Sequence, residues 1–170
     1  MAQQEIVNKV AASGIVMLDF EVLYPEGLRM SFDIRHALTD GVILREKDFR
    51  EFVKNKNWSE YSGAHVAVFC TADVIIPHWA LMVIASALSP FAAGSYYCPA
   101  EQLEDFIFAR LVQTLPIESY IGQRVVIKGC SKKNIPASAY LSAAERLTPV
   151  VKSLMFGEPC STVPVYKKKS

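Results

Sequence analysis

Ala64-His65-Val66-Ala67-Val68-Phe69-Cys70 is a short apolar run without clean polar alternation. A strand with one wet face alternates apolar and polar residues. A run that does not alternate suits a strand covered on both faces, which is the habit of parallel sheets. Outward from this run the chain alternates between strand and helix signals. Pro77 stands where a helix would open, Trp79 to Leu88 continue it, and Gly94 breaks it. Tyr96-Tyr97 reads as a short strand. Pro99 opens a further helix with Glu101 and Glu104 in its first turn, where acidic side chains suit the helix dipole, and Pro116 stops it. Arg124 to Lys128 reads as a strand, Pro136 opens a helix through Leu147, and Val150 to Phe156 is the last strand expected. The order β-α-β-α-β-α-β predicts an α/β fold, a mainly parallel sheet with helices on both faces.

Toward the N-terminus, Gln3 to Ala12 places Ile6, Val7 and Val10 at helical spacing, and Ser13-Gly14 ends that helix. Ile15 to Phe20 reads as a strand, Tyr24-Pro25-Glu26-Gly27 as a turn, and Leu28 to Ile34 as a second strand with Met30, Phe32 and Ile34 on one face. Glu46 to Lys54 is an amphipathic helix, with Phe49, Phe52 and Val53 opposite its charges. The two N-terminal strands are expected as antiparallel additions at an edge. The domain expectation is one α/β domain over 1–170, with 1–60 as an alternative small appended subdomain.

Composition narrows the function classes. With 51% hydrophobic and 21% charged residues, the chain has ample material for a core. A net charge of +1 leaves no basic footprint for nucleic acid, and Lys167-Lys168-Lys169 reads as a solvated tail. Glu5, Asn8 and Lys9 interrupt the first dozen residues, so no secretory signal is expected. The longest apolar stretch, Trp79 to Ala93, contains Ser86, Ser89 and Pro90 and is too short for a bilayer. It reads as a buried helix, and no membrane partner is expected. The expected compartment is the reducing cytoplasm. The four cysteines, Cys70, Cys98, Cys130 and Cys160, are then free thiols or ligands, and none forms a C-x-x-C pair.

Each cysteine falls at or just past the C-terminal end of an expected parallel strand. Ligands bind at that edge of open α/β sheets, and helix N-termini there favour thiolates. Cys98, directly before Pro99, is a candidate helix cap. Gly157-Glu158-Pro159-Cys160-Ser161-Thr162-Val163-Pro164 sets Cys160 between two prolines and reads as a stiff loop. The bland alternative is that free cysteines pack as small hydrophobes. At the same edge Asp73 is a base, a ligand or, the preferred reading, a helix cap. His78 is a metal ligand or an exposed first-turn histidine. Ser131 and the lysines after it suit an anion or an exposed loop. Glu158 is a metal ligand, a proton acceptor or a solvated side chain. His36 and His65 have no evident partner. No Gly-rich phosphate loop, H-E-x-x-H or G-x-S-x-G occurs.

Ile6-Val7-Asn8-Lys9-Val10, Lys47-Asp48-Phe49-Arg50, Cys70-Thr71-Ala72-Asp73 with Ile75-Ile76-Pro77, Lys128-Gly129-Cys130-Ser131 and Gly157 to Pro164 occur in this order. Together they resemble the bacterial domain-of-unknown-function family 2480 over essentially the whole chain. The resemblance implies a cytoplasmic bacterial protein without an assigned activity and an association with iron–sulfur assembly proteins. It matches Cys70, Cys130 and Cys160 more clearly than Cys98, and it implies no fixed histidine at His78.

These residues support three readings. In the first, Cys70, Cys130 and Cys160 ligate zinc or an iron–sulfur species, supported by Asp73 or Glu158. In the second, Cys160 or Cys130 is a nucleophile that handles sulfur or acyl groups. In the third, the chain is a non-catalytic binding module whose cysteines only pack and whose Trp58, Tyr61, Tyr120 and Tyr166 form a partner surface. No reaction, and no status as an enzyme, follows from the sequence.

Overall fold

The computed structural model describes residues 14–129, 132–158 and 161–169. The helix expected over Gln3 to Ala12, and the residues Cys130, Ser131 and Cys160, lie outside the described residues. The described elements run β1 (Ile15–Leu18), β2 (Arg29–Asp33), α1 (Glu46–Asn55), β3 (His65–Phe69), α2 (His78–Leu88), β4 (Gly94–Tyr97), α3 (Leu103–Gln113), β5 (Arg124–Ile127), α4 (Ala137–Leu147), β6 (Ser153–Glu158) and β7 (Ser161–Lys167). The fold is α/β, as the alternation of signals predicts.

The strands form two sheets, ordered β1-β5-β6-β7 and β2-β3-β4. Every pairing is parallel except β6 with β7. The two N-terminal strands do sit at edges, but not as antiparallel additions to one sheet. β1 pairs parallel with β5, Ile15 opposite Arg124, and β2 pairs parallel with β3, Arg29 opposite His65. Periodicity reports which segments are strands; it does not report a partner a hundred residues away. The chain divides into two compact units, Met1–Tyr24 with Phe108–Ser170, and Pro25–Ile107.

In the first unit, Leu18, Val125, Ile127 and Leu154 come from adjacent strands and are buried with Ala139, Ala143 and Leu147 of α4. The small Ala139 and Ala143, at i and i+4, let that helix lie close on the sheet. Phe20 meets Phe108 and Tyr140 edge-on, with centroids 5.9 and 5.5 Å away. The sequence expectation of a stiff loop from Gly157 to Pro164 needs correction. Gly157 and Glu158 finish β6, and Thr162, Val163 and Pro164 belong to β7. Proline is tolerated because β7 is the outermost strand of its sheet.

In the second unit, α1 buries Phe49 and α2 buries the stripe Ala80, Ile84 and Leu88. That stripe, at i, i+4 and i+8, is one face; Met82 opposite is 71% exposed. The stretch from Trp79 is therefore a half-buried helix rather than a fully buried one, and its apolar outer side conceals that in the sequence. Arg29 Nε donates to Glu104 Oε1 at 2.6 Å and Arg29 Nη2 to Glu104 Oε2 at 3.3 Å, tying β2 to the first turn of α3. Trp58, Tyr61 and Tyr120 are buried core residues, which removes them from the expected partner surface.

Candidate functional site

In the sequence the four cysteines follow strands of two different sheets. Cys70 and Cys98 follow β3 and β4, neighbours in the three-stranded sheet. Cys130 and Cys160 follow β5 and β6, neighbours in the four-stranded sheet. The alternation of elements predicts one sheet; the strands that the cysteines follow in the sequence belong to two.

At the first unit's edge the ends of β5 and β6 approach closely. A Cβ on Gly129 would stand 2.9 Å from Phe156 Cζ and 3.4 Å from Gly157 Cα. Gly129 directly precedes Cys130, and Gly157 lies three positions before Cys160. Lys128 Nζ donates to Asp19 Oδ2 at 2.8 Å, and Asp19 Oδ1 accepts from Glu21 N at 2.8 Å. Burial alone would raise the Asp19 carboxyl, but the bonds from Lys128 and the Glu21 N–H outweigh it and hold it below the ordinary carboxylate value. The bond to Asp19, with the charges of Asp19, Glu158 and Glu21, holds the Lys128 ammonium above its ordinary value despite some desolvation. Glu21 Oε2 accepts from Lys132 N at 3.3 Å, beside the short stretch that carries Cys130 and Ser131. Glu158 is half-buried at the end of β6, and its Oε1 is buried without a hydrogen-bond partner among the described residues. Sequence reading did not single out Asp19 or Lys128. A charged residue directly after each strand end was the available signal.

The second unit's edge is built differently. Cys70 is half-buried and packs against the core of α1, α2 and β3. Cys98 is 4% exposed, packs with Ala67, Tyr96, Leu103 and Ile107, and directs its thiol to Tyr96 O at 3.9 Å. Burial first, and the charge of Glu101 second, push the Cys98 thiol up, away from thiolate. Cys98 is not the helix cap, because Pro99 occupies that position. Asp73 is exposed and caps no helix either, since Pro77 stands at the N-terminal cap of α2 without a side-chain bond. His78 is exposed on the first turn of α2. Asp33 makes the polar connection at this edge, bonding Thr71 and the Arg35 N–H.

His65 has partners that its sequence context hides. Its Nε2 lies 3.1 Å from Glu26 O and its Nδ1 3.1 Å from Tyr96 Oη. A carbonyl only accepts, so Nε2 carries the proton and, in the neutral ring, Nδ1 accepts from the tyrosine hydroxyl. The ring joins three segments of the second unit at the N-terminal end of β3, a structural role.

Among the described residues no group of His, Cys, Asp and Glu is large enough to hold a metal by itself, and no helix is long and apolar enough to cross a membrane. No curated protein and no solved structure matches the chain. Residues 4–168, nearly the whole chain, match the family described as Protein of unknown function (DUF2480), and the protein belongs to that family.

Proposed function

We propose that the protein is a cytoplasmic thiol-centred binding protein in which Cys130 and Cys160, with Glu158, take up a thiophilic metal, zinc or an iron–sulfur species. The observation that carries this reading is the buried Glu158 Oε1, which has no hydrogen-bond partner among the described residues. A carboxylate oxygen removed from water without a donor is costly, and a cation satisfies it. Glu158 ends β6, the strand next to β5, so the chain positions that lead into the two thiols adjoin it. Two thiolates and a carboxylate are a donor set that suits zinc. Iron–sulfur assembly proteins are the partners this reading implies. Handling of sulfur on one of the same thiols is its catalytic variant.

A second reading, a binding module whose cysteines only pack, is favoured by the core positions of Cys98 and Cys70. One experiment separates the two. Protein purified anaerobically without chelator is assayed for zinc and iron by mass spectrometry. Near-stoichiometric metal is expected, lost in Cys130→Ser and Cys160→Ser, reduced in Glu158→Gln and kept in Cys70→Ser. Metal-free wild-type protein, or full loading in both Cys130→Ser and Cys160→Ser, would sink the metal reading and favour the packing one.

A further inference from the structure

The end of the four-stranded sheet opposite Lys128 and Glu158 carries a built groove. Ile15, Arg124, Ser153 and Lys167 lie opposite one another in register across β1, β5, β6 and β7. Residues paired in this way point to one face of a sheet. Further along the same strands, Met155 pairs with Pro164. The register slips between Leu154 and Met155, so that Leu154 pairs with Tyr166 and Val165 is passed over. Such a bulge bends a strand and re-aims its side chains. The result is a cavity of about 440 Å³ with Ile15, Met155, Pro164 and Tyr166 as its apolar floor. That volume lies within the range of small-molecule sites.

Its rim is cationic: Arg124, Lys152, Lys167 and Lys168. A second cavity of about 410 Å³ shares Lys152 and Lys168 and adds Lys169. Among the described residues no acidic side chain lines either cavity, and the ion pairs involve other cations. The whole chain carries only +1, so this concentration of positive charge is local. Lys167 is a β7 residue and Lys168 N bonds Lys152 O at 3.0 Å, so the backbone of these two lysines is held to the sheet while Lys167, Lys168 and Lys169 are exposed, as the reading of a solvated segment expects. Like charges gathered without counter-ions repel one another, and a bound anion relieves that repulsion.

We infer that this groove is a binding site for a small anionic amphiphile, its carboxylate or phosphate head on the Arg124–Lys152–Lys168 rim and its hydrocarbon body on Ile15, Met155, Pro164 and Tyr166. A nucleic-acid strand fits less well, since its bases need several aromatic platforms and the floor supplies only Tyr166.

The test is calorimetric titration of the full chain with laurate and with dodecyl phosphate, each below its micelle concentration. Dodecyltrimethylammonium, inorganic phosphate and vesicles of anionic phospholipid serve as comparisons. One anionic amphiphile per chain is expected to bind, weakening as salt rises, and by about tenfold or more in Arg124→Glu and Lys152→Glu. The preferred head group identifies the natural ligand as a carboxylate or a phosphate. Lys168→Gln, exposed and remote from the core, repeats the comparison should a charge reversal impair folding. Equal binding of the cationic amphiphile, unchanged affinity in the rim variants, inorganic phosphate binding as tightly as dodecyl phosphate, or binding to vesicles alone would each overturn the proposal.

Discussion

Asp33, at the end of β2, accepts two hydrogen bonds from Thr71, one from its amide at 3.1 Å and one from its hydroxyl at 2.5 Å. The same carboxylate accepts from Arg35 N at 2.9 Å and so caps the short helix Ile34–Ala37. Burial alone would raise the Asp33 carboxyl, but the bonds from Thr71 and Arg35 and the charge of His36 outweigh it and hold it below its ordinary value. A carboxyl depressed in the folded state adds stability above its unfolded value of about 3.9, and that stability is lost as pH falls through the lower folded value. Asp33→Asn keeps a capping oxygen but removes the charge that strengthens the bonds from Thr71 and Arg35, and is therefore expected to cost about 1 kcal/mol at neutral pH. Urea unfolding at several acidic pH values checks this. The gap between wild type and variant should close as pH drops through and below about 4, and a gap independent of pH would refute the assignment.

Gly157 adopts φ +127°, and a Cβ there would lie 2.5 Å from Ser161 O. Both the backbone conformation and the contact across the hairpin exclude a side chain. Gly157→Ala is expected to lower stability by about 2 kcal/mol or more. Gly129→Ala should cost less, because the atom it meets is the far end of the Phe156 ring, which is 38% exposed and can swing aside. Denaturant midpoints of the two variants rank these effects, and the reverse order would count against the hairpin geometry.

Phe49 is fully buried and meets the Trp79 ring edge-on at 5.5 Å. Truncation leaves a cavity between α1 and α2, so Phe49→Ala should destabilise by about 3–5 kcal/mol. Met82, on the outer side of α2, should tolerate alanine within about 0.5 kcal/mol. Thermal melts of both variants measure the contrast. Comparable losses would mean that α2 buries a different face.

Cys98 should be the slower of the two described thiols to alkylate. Its burial and the nearby Glu101 both disfavour the thiolate that reacts. Mass-spectrometric labelling of native protein near pH 8.5, the ordinary thiol value of about 8.5, should show Cys98 lagging a model thiol. Labelling in Glu101→Gln should be modestly faster, and unfolding should abolish the lag. A Cys98 that labels as fast as the free thiol would contradict its placement.

Much of the fold is legible locally. Ala64 to Cys70 reads as a doubly covered strand and forms β3, with His65, Val66, Ala67 and Val68 all buried. Prolines at the openings of α2 and α4 mark those helices within a residue. β7 escapes because Pro164 and its polar residues resemble a loop, and an edge position accommodates that proline. For the described cysteines, the positions of Cys70 and Cys98 just past the ends of β3 and β4 are legible, since the end of a strand is a local property. The role of Asp33, the ion pair of Asp19 with Lys128 and the Glu158 oxygen that has no partner among the described residues are not, because each depends on which strands become neighbours.

The sequence by itself determined the class of the fold, because strand, helix and turn signals depend on residues within one or two turns of each other. Only the tertiary structure decided that Ile15 pairs beside Arg124 and Arg29 beside His65, making two sheets. Strand partners are chosen by burial and hydrogen bonding between distant segments, and no local pattern of side chains encodes that choice.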